Sequence, residues 1–262
     1  MSISKPKTVL VTGANGYIGS AVARSFVRAG WRTYGLIRKE SAIPTLYTQE
    51  IIPILGSPTT DTSFIAKLKE DNVVFDVLVS VTEDINNYIP HYTAVISMLR
   101  ELALASKEQG VRPLVLFTSG CKDYGMSPHL ANSPGLVPHT EASPLAPMPL
   151  LVARTNYALK TFEHGDLFDS AVLRPTNVYG YDSSYYGFFF QSAEQAARTP
   201  GGVWEINEEK KTVLHAMHVD DCGDAYVALA EHYLSKPGDV AGECFNISAS
   251  KYETLEDIAG AL

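Results

Sequence analysis

Short apolar runs alternate along the chain with longer segments in which apolar and polar positions are mixed. The apolar runs predict strands, at residues 8–13, 32–38, 51–55, 74–82, 113–120 and 170–176. The mixed segments predict helices, at about residues 17–29, 92–108 and 152–164. Because the strands are almost continuously apolar, we expect both faces of their sheet to be covered. The pattern therefore predicts an α/β fold with a doubly wound parallel sheet.

Composition narrows the partners that this fold could have. The formal net charge of −8 disfavours a nucleic-acid or anionic-membrane partner. The three cysteines include no CxxC pair, so we expect no metal site and no disulfide framework. The sequence shows no signal peptide and no apolar run long enough for a membrane span, so we expect a cytoplasmic protein.

The segment VTGANGYIG joins the first predicted strand to the first helix. In a Rossmann-type fold, Gly13 would allow the tight turn, Gly16 the approach of a pyrophosphate, and Gly19 close packing of the helix. The positive end of the helix would face the phosphates. We therefore predict a dinucleotide site that includes Gly13, Asn15, Gly16, Tyr17, Ile18 and Gly19.

The second strand ends in GLIRKE, with Arg38 and Lys39 where a carboxylate usually binds the adenosine ribose. Two cations could instead pair with a 2′-phosphate. We therefore favour NADP(H) over NAD(H) as the cofactor. The alternative is that both are solvated surface charges, and Glu40 beside them keeps that alternative open.

The sequence changes in character near Tyr179. Aromatic residues cluster in VYGYDSSYYGFFF, and a glycine pair and the charged segment NEEKK follow. We predict a dinucleotide-binding domain over residues 1–178 and a smaller substrate lobe over 179–262, interleaved with the last elements of the main sheet. The chain ends inside a predicted helix, as a shortened chain would.

Five segments, GANGYIG, FTSGCKDYG, LRPTNVYG, HVDDCGDAY and ECFNIS, occur in this order from Thr8 to the final helix. Together they resemble the extended short-chain dehydrogenase/reductase family, which includes NAD-dependent epimerases and dehydratases. The resemblance implies a Rossmann fold and an enzyme that uses a dinucleotide. Beyond the glycine loop it would place further residues at the cofactor: Arg38, Lys39, Ser57, Ser80, Val81, Pro175 and Val178. At Ser57 the family usually has an aspartate.

Oxidoreductases of this family use a Tyr-x-x-x-Lys pair in which the lysine lowers the pKa of the tyrosine that transfers the proton. None of the fourteen tyrosines here has a lysine four residues later. Tyr157 and Lys160 are three apart, share a helix face and form one candidate pair. The segment from Tyr157 to Arg174 is shorter than the equivalent segment of the family. Leu150 and Arg154, which are four apart, are therefore the alternative positions for the family's tyrosine and lysine. Arg154 would then hold the cofactor ribose.

After the fifth strand, Ser119 matches the first of two hydroxyl residues that are common in the family, and Gly120 replaces the catalytic second one. Ser119, or Thr118 beside it, is therefore expected to point into the cleft, and Ser119 is a catalytic candidate. Tyr124 is a further catalytic candidate, because its loop is placed to face the substrate. Lys122 and Asp123 are expected to be loop charges.

The segment HVDDCGDAY opens a predicted helix. Asp220 or Asp221 is placed to cap that helix by accepting free backbone N–H groups. His218 is expected to pack or position neighbours rather than to carry protons.

These observations predict an NADP(H)-dependent oxidoreductase that acts on a small, hydrophobic carbonyl compound with a non-standard proton donor. The aromatic segment suits an apolar substrate better than a nucleotide sugar, although core packing would also account for many of its rings. Two alternatives stay open: a non-enzymatic NADP(H)-binding sensor or interaction protein, and an epimerase- or dehydratase-like enzyme. Another reaction through Tyr124 or Cys121 also stays open. A homodimer is expected only from the family resemblance.

Overall fold

The structure is a computed structural model and describes residues 6–126, 129–181 and 183–262. Its strands, in chain order, are β1 (Thr8–Thr12), β2 (Arg32–Ile37), β3 (Ile52–Leu55), β4 (Val77–Ser80), β5 (Leu114–Thr118), β6 (Asp169–Pro175), β7 (Asn177–Gly180), β8 (Ser183–Ser184), β9 (Val213–Leu214), β10 (Ala216–His218), β11 (Cys244–Ile247) and β12 (Glu253–Thr254). Its α-helices are α1 (Tyr17–Arg28), α2 (Ile43–Thr48), α3 (Phe64–Glu70), α4 (Tyr88–Glu108), α5 (Val152–Leu159), α6 (Tyr185–Arg198), α7 (Val219–Ser235) and α8 (Leu255–Ala261).

Seven strands form the central sheet, in the order β11-β6-β5-β4-β1-β2-β3. All neighbouring pairs in this sheet are parallel. Side chains alternate between its faces, so that Val9 and Val11 pack in one core cluster with residues of α1 and α7. Leu10 packs in a second cluster with residues of α3, α4 and α5. Both faces are covered, which confirms the predicted doubly wound α/β fold of the Rossmann type.

All the strands and helices predicted from the pattern are present, with shifted ends. The predicted helix at 92–108 begins earlier, at Tyr88, and the α-helical part of the helix at 152–164 ends at Leu159 before a 3₁₀ turn. Helices α2 and α3 were not predicted, because each is short and buries only a few side chains, such as Leu46 of α2. Within the described residues, no helix combines the length and apolar character that a bilayer span requires.

Smaller elements surround the C-terminal half of the chain. A three-stranded sheet has the order β10-β7-β8, and β12 pairs antiparallel with β9. Near them lies a third core cluster, formed by Tyr186, Phe189, Ala216, Leu255 and Ile258. However, β11 from the same half completes the central sheet. The division into residues 1–178 and 179–262 stays a prediction.

The prediction that Asp220 or Asp221 caps α7 is wrong. The N-cap residue is His218, whose Nδ1 accepts a hydrogen bond from the backbone N–H of Asp220 at 3.2 Å. The carboxylate of Asp220 instead accepts hydrogen bonds from Arg24, at 3.1 Å, and from the Tyr181 hydroxyl. Asp220 therefore connects α7 to α1 rather than closing the end of its own helix.

Candidate functional site

A cleft of about 940 Å³ opens where the strands β1, β2, β3 and β4 end. Its walls are the glycine loop after β1, the loops that follow the other three strands, and the first turns of α4. Ligands of doubly wound sheets bind at this carboxyl edge, because the strand ends and helix N-termini converge there.

Two glycines of the loop are required by geometry. Gly13 has a φ of +62°, and a Cβ at this residue would lie 2.8 Å from Cγ2 of Thr82. A Cβ at Gly19 would overlap the carbonyl oxygen of Gly13, because the first turn of α1 packs directly on the loop. A side chain at either position would therefore displace the loop that forms this wall of the cleft.

The N-terminus of α1 lies on the cleft. Gly16, Tyr17, Ile18 and Gly19 are among the residues that line it, as is Asn15 in the loop. In the part of the chain that the structure describes, no side chain caps this helix end, and its first turn carries no acidic residue. The positive end of the helix dipole is therefore available for an anion such as a pyrophosphate.

The two cations after β2 differ in position. Arg38 lines the cleft, is exposed, and forms no ion pair with the residues that are described. Lys39 is also exposed but is absent from the cleft wall, because the chain turns there into a 3₁₀ helix that begins at Glu40. Of the predicted 2′-phosphate ligands, the structure therefore brings Arg38 to the cleft.

Two more of the predicted cofactor residues line the cleft. Ser57 follows β3, and its hydroxyl lies 3.0 Å from that of Thr59, which also lines the cleft. Val81 follows β4, and its backbone N–H donates a hydrogen bond of 3.1 Å to the Thr12 hydroxyl. At the position of Ser57, where the family resemblance implies an aspartate, the cleft therefore has the hydroxyl groups of Ser57 and Thr59.

Three other predicted cofactor residues do not belong to the described lining. Ser80 is buried at the end of β4, and its hydroxyl has no hydrogen-bond partner among the described residues. Pro175 lies in β6 beside Ile247 of β11, and the side chain of Val178 belongs to the first core cluster. Their contact with a cofactor stays a prediction.

The wall of the cleft between β4 and α4 was not predicted from the sequence. Glu83, Asp84 and His91 line the cleft there. Nε2 of His91 lies 3.1 Å from the carbonyl oxygen of Thr82, and Asp84 accepts a hydrogen bond from the backbone N–H of Asn87 at 3.2 Å. In the sequence, this wall is marked only by a polar segment that directly follows the fourth apolar run.

Asp123 is fully buried in the 3₁₀ helix Cys121–Tyr124 that follows β5, so its description as a loop charge was wrong. Its carboxylate accepts four hydrogen bonds: from Ser119 at 2.6 Å, Thr155 at 2.8 Å, Arg154 at 3.1 Å and Arg174 at 3.2 Å. A buried carboxylate is stable only when cations and donors of this kind surround it. We call these five residues the Asp123 cluster.

Tyr124 lies next to this cluster and is buried. Its hydroxyl donates a hydrogen bond of 2.7 Å to Oδ1 of Asn246 and accepts one of 3.1 Å from Nη1 of Arg174. Its ring stacks on that of His139 with 4.9 Å between centroids. Arg174 therefore links Tyr124 directly, and Ser119 through the carboxylate of Asp123. Neither Tyr124 nor Ser119 is among the described residues that line the cleft.

Arg154 occupies the space beside Gly120. A Cβ at Gly120 would lie 3.3 Å from Nη2 and 3.4 Å from Nη1 of Arg154. Nη1 lies 3.9 Å from Oε2 of Glu83, on the cleft wall. Burial raises the pKa of the nearby Tyr88 hydroxyl, the charge of Glu83 raises it further, and Arg154 opposes both.

Burial also raises the pKa of the Cys121 thiol, which disfavours a thiolate at pH 7.

Tyr157 and Lys160 lie elsewhere. The half-buried ring of Tyr157 packs edge-on against Tyr92 of α4 at 5.2 Å, in the second core cluster. Lys160 is exposed, and its Nζ lies 4.2 Å from the centre of the Tyr157 ring. Neither belongs to the described cleft lining. The structure thus brings this pair together, but apart from Ser119 and Tyr124. Proton transfer by the pair stays a prediction.

Comparisons with known proteins agree with this architecture. A family model described as "NAD dependent epimerase/dehydratase family" matches residues 9–248. Similar solved structures include UDP-glucose 4-epimerase from Brucella ovis in complex with NAD, with 18% identity and a TM-score of 0.70 over 97% of this chain and 81% of that one. The UDP-Glc/GlcNAc 4-epimerase from Campylobacter jejuni has 21% identity and a TM-score of 0.66 over 97% and 82%.

A third similar structure is the terminal R domain from the myxalamid PKS-NRPS biosynthetic pathway. It has 13% identity and a TM-score of 0.69 over 98% of this chain and 70% of that one. No curated protein sequence matches the chain significantly. At these identities, the structural likeness concerns the fold.

Proposed function

Because the chain belongs to the NAD dependent epimerase/dehydratase family, we propose that it binds NADP(H) in the cleft and reduces a small carbonyl compound. The observation that carries this proposal is the pairing of two anion sites on one cleft. One is the uncapped N-terminus of α1, which suits a pyrophosphate. The other is Arg38 at the end of β2, where the adenosine ribose of a Rossmann fold lies.

The preference for NADP(H) follows from the charge at that second site. A guanidinium binds a phosphate through two parallel hydrogen bonds, whereas a ribose 2′-hydroxyl gains little from a cation. Arg38 forms no ion pair with the described residues, so a 2′-phosphate displaces no existing partner.

The test is a titration of the purified protein with NADPH and NADH, followed by tryptophan fluorescence or calorimetry. We expect tighter binding of NADPH. Arg38→Ser should weaken NADPH binding by roughly tenfold or more, because a charged hydrogen bond contributes about 1.5–3 kcal/mol, and should leave NADH unchanged. The matched control is Lys39→Ser, which should change neither affinity by more than about twofold, since a solvated charge outside the site contributes little. Equal binding of both dinucleotides, or none, would reject the proposal.

Tyr124 is the proton donor that this geometry favours. When bound, NADPH supplies the hydride to the carbonyl carbon, and the carbonyl oxygen then needs one proton. The Tyr124 hydroxyl is a group of the right type, and Nη1 of Arg174 lies 3.1 Å from its oxygen. Arg174 would stabilise the phenolate until solvent returns a proton. The Ser119 hydroxyl already donates a hydrogen bond to the carboxylate of Asp123, so its role would be to hold the cluster in place.

A second candidate is NADP(H) binding without turnover, as in a redox sensor. The replacement of the usual catalytic hydroxyl by Gly120 favours it, as does the position of Tyr157 and Lys160 away from the cleft. The two candidates differ in whether bound NADPH is consumed. Incubation with a panel of aldehydes and ketones, read by the loss of NADPH absorbance, distinguishes them.

The apolar character of the substrate rests on the aromatic segment at 179–190. Within it, Tyr186 and Phe189 are buried in the third core cluster, whereas Phe188 and Phe190 are exposed. Residue 182 and the side chains of residues 183–185 lie outside the described part of the chain. The hydrophobic character of the substrate therefore stays a prediction. The homodimer, which was expected only from the family resemblance, also stays a prediction.

A further inference from the structure

We propose that Arg154 is a carboxylate-binding residue, so that the carbonyl compound of the proposed function also carries a carboxylate. The inference rests on the proposed function for the reaction, but the binding of an anion by Arg154 can be measured without turnover. It starts from a guanidinium that is more than nine-tenths buried and is only partly satisfied.

Arg154 has more hydrogen-bond donors than the described residues use. Nη2 donates to Asp123 at 3.1 Å. Nε is sealed from solvent and has no partner among the described residues. Nη1 forms no hydrogen bond within that part of the chain, and its ion-pair contact with Glu83 is long, at 3.9 Å. Two N–H groups of Nη1 and one of Nη2 therefore remain, and their spacing matches the two oxygens of a carboxylate.

The charge around Arg154 leaves room for one more anion. Within the Asp123 cluster, Arg154 and Arg174 share the single carboxylate of Asp123. The second anion near Arg154 is Glu83, whose side chain is half exposed. Burying a cation costs folding free energy when no anion compensates its charge. An incoming carboxylate would form a close ion pair with Arg154, which Glu83 forms only at a longer distance.

The position of Arg154 is also suitable. Glu83 lines the cofactor cleft, so Nη1 lies next to the wall of that cleft. Gly120 has no side chain at the end of β5, and a Cβ there would crowd both terminal nitrogens of the guanidinium. The absence of a side chain at Gly120 thus leaves the guanidinium of Arg154 uncrowded at the carboxyl edge of the sheet, where ligands of such folds bind.

Benzoate and benzamide are matched probes, because they have the same shape and differ in charge. We would titrate both into the NADP⁺-saturated protein by calorimetry. Benzoate should bind at least roughly tenfold more tightly than benzamide, since a bidentate charged pair is lost in the amide. Glu83→Gln should tighten benzoate binding severalfold by removing the competing anion. Lys122→Met is the control for a neighbouring cation and should leave the affinity within about twofold.

Arg154→Met should abolish the preference for benzoate. It should leave NADP⁺ binding within about threefold, because Arg154 is not among the described residues that line the cleft. If this variant does not fold, Glu83→Gln decides the question alone, because Glu83 lies on the surface. Equal affinities of the two probes, or no gain in Glu83→Gln, overturn the proposal. Loss of NADP⁺ binding in folded Arg154→Met also overturns it and assigns Arg154 to the ribose. Failure of the proposed function gives a different result, because the wild-type protein would then bind no NADP⁺.

Discussion

The ammonium nitrogen of Lys160 lies 4.2 Å from the centre of the Tyr157 ring, over its face. This is a cation–π contact, and the ring that makes it also packs edge-on against Tyr92 of α4. The two residues thus join the end of α5 to the second core cluster. Their spacing in the sequence places them on one helix face, but that face is directed to α4 rather than to the cleft.

The first prediction concerns this pair. Tyr157→Phe keeps the ring, so both NADPH affinity and turnover should stay within about twofold of the unchanged protein, and Lys160→Met should behave likewise. Tyr157→Ala should lower the free energy of unfolding by roughly 1–3 kcal/mol, because it removes a half-buried ring. Urea denaturation and NADPH consumption measure these effects. A tenfold or greater loss of turnover in Tyr157→Phe would instead establish the pair as catalytic.

The second prediction concerns Tyr124. Tyr124→Phe removes the hydroxyl between Asn246 and Arg174 and keeps the ring against His139. Turnover should fall by about 10²–10⁴, the usual contribution of a positioned proton donor, with NADPH affinity unchanged. Tyr157→Phe is the matched control. Full activity in Tyr124→Phe would remove Tyr124 from the mechanism.

The third prediction concerns the buried carboxylate of Asp123. Asp123→Ala leaves Arg154 and Arg174 without their shared anion, and breaking a buried ion pair in this way costs about 3–5 kcal/mol of folding free energy. Lys122→Ala, one residue earlier, should change stability by less than about 0.5 kcal/mol. Urea unfolding followed by circular dichroism compares the two. Similar effects of both variants would show that the cluster contributes little to stability.

The fourth prediction concerns the glycine loop. Gly19→Ala places a methyl group against the carbonyl oxygen of Gly13, so α1 must move away from the loop. We expect a loss of about 1–3 kcal/mol in stability, as for other overpacked sites. NADPH affinity should fall at least tenfold. Gly165→Ala is the control, since a Cβ there meets nothing within 4 Å. Normal NADPH binding by Gly19→Ala would separate this loop from the cofactor site.

The fifth prediction is a pH dependence of stability. Burial alone raises the pKa of Asp169, but hydrogen bonds from Arg112 and Tyr233 lower it below its ordinary value of 3.8. Because the pKa is lower in the folded state, the ionised carboxylate stabilises the protein above pH 4, and this contribution is lost as the pH falls through the folded-state pKa. Asp169→Asn should cost roughly 1 kcal/mol at pH 7. The difference from the unchanged protein should shrink below about pH 4, and a constant difference from pH 7 to pH 3 would contradict this assignment.

Local patterns were enough to predict the sheet and the glycine loop. The strands are continuous apolar runs, and the contacts of Gly13 with Gly19 lie within one turn between a strand and a helix. The position of Arg38 on the cleft could also be predicted, because it directly follows the end of β2 at the same edge of the sheet. The wall formed by Glu83 and His91 was missed, because no short motif marks it.

The sequence by itself determined the six main strands of the sheet, the covering of both sheet faces and the glycine loop at one end of the cleft, because these depend on periodicity and on neighbours along the chain. Only the tertiary structure decided the rest of the site. The Asp123 cluster joins residues from the segment after β5, from α5 and from β6, which are distant in sequence. Whether Asp123 is a surface charge or a buried anion depends on the two arginines that folding brings to it, since burial of the carboxylate is favourable only with them in place.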